Sequence, residues 1–521
     1  MKRIYLLLFW GSIIGIIHTS CERSDENGLS DKDSAVVSQF VYDGLSTYYF
    51  WADDMTRKKP TSNDTDPKAY FKKVLHSTDS EHGWSWITDD VNALLAGFSG
   101  TDLSFGYDLE FIEDKEGNNT AYAFIKYVYS NTPAAKAGLK RLDLIKELNG
   151  QPIKTERRDG DTYVASSAIN LLYGNNTVTF NIYKFSEDQI VHDKEITITP
   201  DKSAKNPVLY DNVYEIGDKK IGYLFYTDFY DNYNNHLFEV FQNFKQQGIT
   251  DLVLDLRYNT GGAASAALYL ASLIAPESAV KANSPFVMMN YNKLLNSSFD
   301  KWYNEAKPAD KYKYDRKQYL GEYDQRVEAN PMEANLDLDK VYIIATNGSY
   351  SASELITFCL KSYMDVVHIG SKTGGKYTAS WTIHGYDDDL GVPVYDSQKL
   401  SSKNKEVLKN WAMQPIVAQY ANWEGESFSN PGYLAPDYPL EEGFGKLIQW
   451  TPIGDPKDVL LGQALYLISG DPDYQPKEIR SISITRLISR KVANPIDMSK
   501  PVVIEHNLTT EDFLELRELQ N

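Results

Sequence analysis

The sequence predicts a multidomain α/β chain: an α/β core preceded by a strand-rich module and a small N-terminal helical domain. Three observations predict it. The chain has 521 residues, too long for one ordinary domain at roughly 150 residues each. Apolar residues make up 42%, enough for several packed cores. From Ile221 onward, short apolar runs alternate with helical patterns, the pattern of a parallel sheet covered by helices.

The N-terminus is a targeting segment, residues 1–21. Lys2 and Arg3 precede the apolar stretch Ile4–Ile17, which is short for a membrane span of about 20 residues and fits a signal peptide. The stretch ends in His18-Thr19-Ser20-Cys21. A small residue before a Cys resembles the lipobox of bacterial lipoproteins, although His18 stands where Leu is usual. The resemblance implies lipid on Cys21 and a bacterial cell-envelope location, at the outer membrane or the periplasmic face. Cys359 is the only other cysteine; it lies between Phe358 and Leu360 and reads as a small buried apolar side chain.

Residues 22–95 read as a tether and the N-terminal helical domain. Glu22–Asp33 is acidic and flexible in composition. Val37, Phe40, Val41 and Leu45 then recur at helical spacing. A second helix begins near Asp66-Pro67, with Tyr70, Phe71 and Val74 on one face and Pro67 at its first position.

Residues 96–205 alternate strand patterns with turns. At their centre, Pro133-Ala134-Ala135-Lys136-Ala137-Gly138-Leu139 is a short helix. It feeds Leu142–Leu148, a strand closed by the Asn149-Gly150 turn. This run resembles a PDZ domain. Such domains take a peptide as an added strand, and the resemblance implies Phe105, Gly106 and Tyr107 as the peptide-binding loop.

Residues 206–470 form the α/β core. Ile221–Phe225, Leu252–Leu256, Val341–Ile344 and Val366–Ile369 read as strands. Leu237–Phe244, Ala263–Leu273 and the run from Ala352 read as helices. A polar, Tyr-rich stretch at about 290–335 reads as an insertion. Val459–Leu467 is a helix behind Asp455-Pro456. Residues 471–521 are a C-terminal tail with a strand-like run, Ile479–Leu487.

The net charge of −19 argues against nucleic acid, whose phosphates need a positive field. No His-x-x-x-His or cysteine cluster suggests a metal, and no cofactor is expected.

The chemistry lies in three short runs. Ser351-Ala352-Ser353-Glu354 opens a helix. As a capping box, its hydroxyl would simply accept a helix amide. Its position after a buried strand and the Asn347-Gly348 turn instead places Ser351 at the carboxyl edge of a parallel sheet, where open α/β folds carry their sites. Lys376 ends Lys372-Thr373-Gly374-Gly375-Lys376. Alone it reads as a solvated turn residue; buried, it can act as a base towards a serine hydroxyl. Asp255-Leu256-Arg257-Tyr258-Asn259-Thr260-Gly261-Gly262 leaves free backbone amides at a sheet edge, with Asp255 and Arg257 bracing the turn.

Together the three runs resemble peptidase family S41, the C-terminal processing peptidases, across roughly Ser34–Ile468. The resemblance implies an S41-type protease core behind a PDZ-like domain, acting on peptide or protein substrates. It implies Ser351 as nucleophile, Lys376 as general base, and an oxyanion hole from the amides of Ala352 and of Gly261 or Gly262. Asn259 and Asp255 support the turn. Three positions depart from the family pattern. Gly374 stands for Phe, Tyr377 for Gly, and Ser380 for the Gln that steadies the lysine.

Two other readings compete. A His-based triad lacks a Gly-x-Ser-x-Gly elbow, and His368 and His384 have no motif around them. A weak or inactive surface lipoprotein that binds peptides or glycans would suit 37 Tyr and 9 Trp, but it leaves the serine and lysine runs unexplained.

Overall fold

The computed structural model describes residues 29–114, 119–159, 162–186, 189–386, 388–442, 450–476, 488–492, 502–504 and 506–520. The signal segment with Cys21, the tether up to residue 28 and the run Ile479–Leu487 lie outside them.

Helix α1 (Asp31–Tyr48) is capped by the Ser30 hydroxyl, which accepts from Asp33 N–H at 3.3 Å. Its stripe of Val37, Phe40, Val41 and Leu45 is fully buried. Helix α2 (Pro67–Val74) starts at Asp66, whose carboxylate accepts from the Lys68 and Ala69 amides. The chain then enters the short strand β1 (Trp86–Thr88).

A second unit is an antiparallel sheet in the order β2 (Tyr107–Asp114), β3 (Thr120–Val128), β4 (Leu144–Leu148), β5 (Val178–Ser186), β6 (Gln189–Ile198). Leu148 pairs with Gln151 across the Asn149-Gly150 turn, both turn residues having positive φ. Phe105, Leu109, Phe111, Ile125, Ile145 and Phe180 form a core of its own. This layout is consistent with the expected PDZ-like module.

The α/β core runs through β7 (Val208–Ile216), β8 (Lys219–Tyr226), α3 (Asn234–Gln247), β9 (Asp251–Asp255), α4 (Ala264–Ile274), β10 (Pro285–Tyr291), α5 (Lys293–Glu305) and β11 (Lys317–Tyr319). It continues through β12 (Lys340–Ala345), α6 (Ala352–Cys359), β13 (Asp365–Gly370), β14 (Thr378–Ser380), β15 (Ala412–Gln414), β16 (Ile416–Asn422), β17 (Tyr438–Pro439) and α7 (Val459–Ser469). One sheet has the order β7-β8-β9-β12-β13-β17 and is parallel except between β7 and β8. Alternate residues face opposite sides. Leu224, Leu252 and Leu254 pack with side chains of α3, α4 and α6, whereas Tyr223, Phe225, Val253 and Ile344 pack against Leu460, Leu461 and Leu465 of α7. Helices on both faces explain the near-continuous apolar strands.

The second sheet has the order β11-β10-β16-β14, with the tail strand β19 (Val502–Val503) at its edge. The tail also supplies β18 (Ile488–Val492), which pairs with β2, and α8 (Thr510–Gln520). The stretch at 290–335 differs from the insertion expected of it. Leu295, Ser298, Phe299 and Trp302 line one buried face of α5, and β11 completes the second sheet. The polar residues there occupy the solvent side of packed elements, which composition alone does not reveal.

Candidate active site

The three runs converge at the carboxyl ends of β9, β12 and β13. Tyr350 N–H and the Ser353 hydroxyl both donate to Asn259 O, at 3.1 and 2.9 Å, and Gly374 N–H donates to Ser349 O at 2.9 Å. Asn259 also organises its own turn. Its amide nitrogen donates to Tyr226 O at 3.0 Å, and its Oδ1 accepts from Gly261 N–H at 2.9 Å. Gly261 and Gly262 have φ of +104° and +143°, a conformation that favours glycine. A Cβ on Gly261 would lie 2.7 Å from Ser351 Cβ, and one on Gly262 would lie 2.3 Å from Phe229 O. Position 261 is therefore glycine because Ser351 packs directly on it, and position 262 because Phe229 does.

Ser351 is buried and stands at φ 59°, ψ −112°, a sparsely populated conformation for a residue with a side chain. Only the carboxylate half of its capping box is firm: Ser351 N–H donates to Glu354 Oε2 at 2.8 Å. The hydroxyl half is loose, because Ser351 Oγ has no hydrogen bond of ordinary geometry among the described residues.

Glu354 does more than cap. Its Oε2 also accepts from Lys376 N–H at 2.7 Å, and Oε1 from Gly375 N–H at 2.8 Å. One carboxylate oxygen thus holds the backbone of Ser351 and that of Lys376. The Tyr420 hydroxyl repeats the tie, lying 3.1 Å from Ser351 O and 3.0 Å from Lys376 O. Burial pushes the Glu354 carboxyl up, and hydrogen bonds from Thr373 and the three amides oppose it.

Lys376 is also fully buried. Near it lies Asp79 of the N-terminal domain, itself buried, which accepts from Tyr49 OH at 2.7 Å and from Ser85 N–H at 2.8 Å. Burial pushes the Asp79 carboxyl up; the Ser85 and Tyr49 hydrogen bonds and the charge of Lys376 pull against it. Asp79 carries no motif, so sequence spacing could not single it out.

The departures from the family pattern have local explanations. A Cβ at Gly374 would come within 2.0 Å of the Tyr350 ring, so that ring fills the space a larger side chain would need. Tyr377 packs edge-on to Trp84 and Phe428, with centroids 5.5 and 5.9 Å apart. Ser380 Oγ accepts from Gln414 Nε2 at 3.0 Å, and Gln414 Oε1 accepts from Thr382 Oγ1 at 2.8 Å. A glutamine amide therefore reaches this strand from β15 rather than from position 380.

Asp255 and Arg257 brace the turn as part of a larger network. Buried Arg257 bonds Asp255 through Nε at 3.0 Å, holds Asp458 with two nitrogens at 2.8 Å each, and reaches Glu442. Glu442 also accepts from Arg141 of the strand module at 2.9 Å and from Tyr258 OH. Burial pushes Asp458 up, but the Arg257 guanidinium overrides it and leaves the carboxyl below the ordinary range.

Of the expected oxyanion donors, Gly261 is already occupied by Asn259. The amides of Gly262 and Ala352 have no hydrogen-bond partner among the described residues. Phe105 and Tyr107 sit in the strand module's own core, with Tyr107 OH on Leu172 O at 2.7 Å, apart from the cluster around Ser351. Gly106 has φ +86° and abuts Thr132. Cys359 is buried, and burial pushes its thiol up.

Residues 220–437 match the sequence profile of Peptidase family S41, and residues 37–86 match that of the Peptidase S41 N-terminal domain. The chain belongs to peptidase family S41. This S41 chain is 24% identical over 368 residues to a Staphylococcus aureus protein described as a CtpA-like serine protease. A Staphylococcus saprophyticus protein of the same description is 25% identical over 380 residues. The matches cover 70% and 72% of this chain and 61% and 63% of those relatives. A crystal structure described as an S41 protease from Bacteroides fragilis NCTC 9343 superposes with a TM-score of 0.62 at 25% identity. It covers 83% of this chain and 97% of that one.

The Glu354 clamp carries a first prediction. Glu354→Gln keeps the shape but turns an amide NH₂ toward backbone donors, whichever way the side chain is placed. Displacing Ser351 against Lys376 by about 1 Å is expected to lower kcat about 100-fold, measured on a fluorogenic peptide, with native circular dichroism retained.

Proposed function

We propose that this protein is a serine endopeptidase of the C-terminal processing type, using Ser351 and Lys376 as a nucleophile–base dyad. The observation that carries the reading is the shared Glu354 oxygen, which ties the backbones of both residues to one point. Neutral Lys376 takes the proton from Ser351 Oγ as that oxygen attacks the peptide carbonyl carbon. The developing oxyanion meets the amides of Gly262 and Ala352 at the N-terminus of α6. Lys376 then gives its proton to the leaving amine, and the acyl group stays on Ser351. Water, deprotonated by Lys376, attacks the ester; the acid product leaves and Ser351 Oγ regains a proton. A serine-directed phosphonate tests the assignment: mass spectrometry should find the adduct on Ser351, and an adduct elsewhere or none at all sinks it.

Asp79 tunes the base in this scheme. A carboxylate beside a lysine favours the ammonium form, so removing it favours the neutral amine. Asp79→Asn is expected to move the acidic limb of the kcat/KM profile to lower pH. A profile that falls in height without shifting would make Asp79 purely structural.

The N-terminal segment supports a lipid anchor at Cys21 in a bacterial envelope. Metabolic labelling with an alkynyl fatty acid checks this. The label should be lost in Cys21→Ser, and its retention removes the anchor.

A further inference from the structure

The tail strand β19 lies where the two halves of the site meet. Val502 and Val503 pair in parallel with Ala379 and Ser380 of β14, the strand that follows Lys376. Val503 N–H donates to Gly262 O at 3.1 Å, and Val503 bridges Ala263. Ile504 N–H donates to Ser380 O at 3.3 Å, and the Ile504 side chain is buried. Three tail residues therefore run as an extended strand between the Gly262 turn and the Lys376 strand.

The described segments on either side are themselves docked on the protein. Downstream, α8 buries Phe513 and Leu516, and Arg517 donates to Asp43 O and Thr47 Oγ1 of α1 at 2.6 and 2.9 Å. Upstream, β18 adds antiparallel to β2, with Val492 opposite Phe111 and Lys491 opposite Ile112. The other edge of β2 is taken by β3. The tail thus adds a strand to the sheet of each unit.

We propose that the groove between Ala379–Ser380 and Gly262–Ala263 is a binding site for an extended peptide strand, and that residues 502–504 are its internal ligand, which an incoming peptide must displace. The inference rests on the peptidase reading only for the fate of that peptide, not for the site. The contacts are main-chain, as in other strand additions, so the groove accepts backbone and leaves sequence choice to flanking side chains. Val502, Val503 and Ile504 are β-branched and suit an extended conformation. Tethering by α8 makes the contact intramolecular, with an effective concentration on the order of millimolar, so weak strand bonds keep the groove filled.

The test uses full-length Ser351→Ala protein, which cannot cleave its probe. The probe is a fluorescein-labelled peptide with the sequence of residues 499–508. Val503→Pro, added to that background, deletes the N–H that donates to Gly262 O. If the groove is mostly self-filled, the Pro variant binds the probe at least about 10-fold tighter. Equal affinity in two folded proteins overturns the proposal. Hydrogen exchange on Ser351→Ala alone decides if the Pro variant melts early. Saturating probe should deprotect the Val503 and Ile504 amides, and unchanged protection overturns the proposal. A protein that binds the probe in this way, yet whose Ser351 parent cleaves no peptide, refutes the peptidase reading and leaves the groove standing.

Discussion

Ser351→Ala is expected to lower turnover by about 10⁴-fold or more, the cost of removing one member of a catalytic unit. Stability should stay within about 1 kcal/mol of the parent, because among the described residues the hydroxyl makes no ordinary hydrogen bond that its loss would break. The clamp survives, since Glu354 holds the amide of residue 351 and not its side chain. Lys376→Ala should fall comparably. The double variant should be no slower than Ser351→Ala, since two groups acting on one proton are not additive. Fluorogenic peptide assays beside thermal melts read both quantities. A clear drop in melting temperature with activity retained would mean that Ser351 is a helix cap and nothing more.

Short runs were legible because their chemistry is local. Ser351–Glu354, Thr373–Lys376 and Asp255–Gly262 each combine a strand end, a turn and a reactive group within a few residues. The core strands were equally plain, because burial on both faces leaves continuous apolar runs such as Leu252–Leu254. What the sequence hid is pairing at long range. Arg257 finds Glu442 and Asp458 at separations of 185 and 201 residues, and no spacing rule links them. Gln414 reaches Ser380 because β14 pairs with β16, which sets Ser380 opposite Ile416, two residues beyond Gln414. The second sheet gathers Pro285–Tyr291, Lys317–Tyr319, Thr378–Ser380, Ile416–Asn422 and Val502–Val503 from distant stretches, so the 290–335 region read as an insertion. Glu354 was visible as a capping partner, but its hold on Lys376 depends on a loop folding back from β13. Asp79 and Tyr420 approach the site from the N-terminal domain and from β16, and carry no local signal at all.

Arg257→Met is expected to destabilise the fold by about 3–5 kcal/mol, the usual consequence of removing one partner from a buried ion cluster. Met fills much of the volume, so the loss is electrostatic more than a cavity effect. Three carboxylates, those of Asp255, Asp458 and Glu442, meet this guanidinium. Arg141 bonds only Glu442 among them and cannot replace it. The pH dependence has a definite sign. With Arg257 present, Asp458 has a depressed carboxyl, which contributes stability above the unfolded value and loses it as pH falls through the folded one. Without the Arg257 guanidinium, burial should raise the Asp458 carboxyl instead, and a raised carboxyl is penalised as pH climbs through the unfolded value toward the folded one. Both effects make the gap between parent and variant widest near neutral pH and narrower on acidification. Urea melts at pH 5 and pH 8 measure it. A gap that stays constant, or widens in acid, would mean that Arg257 stabilises by packing and not by neutralising its carboxylates. The consequence reaches the site through Asn259, two residues along the same turn, whose carbonyl anchors Tyr350 and Ser353 on either side of Ser351. Variant protein that remains folded should therefore lose activity before it loses structure as denaturant rises.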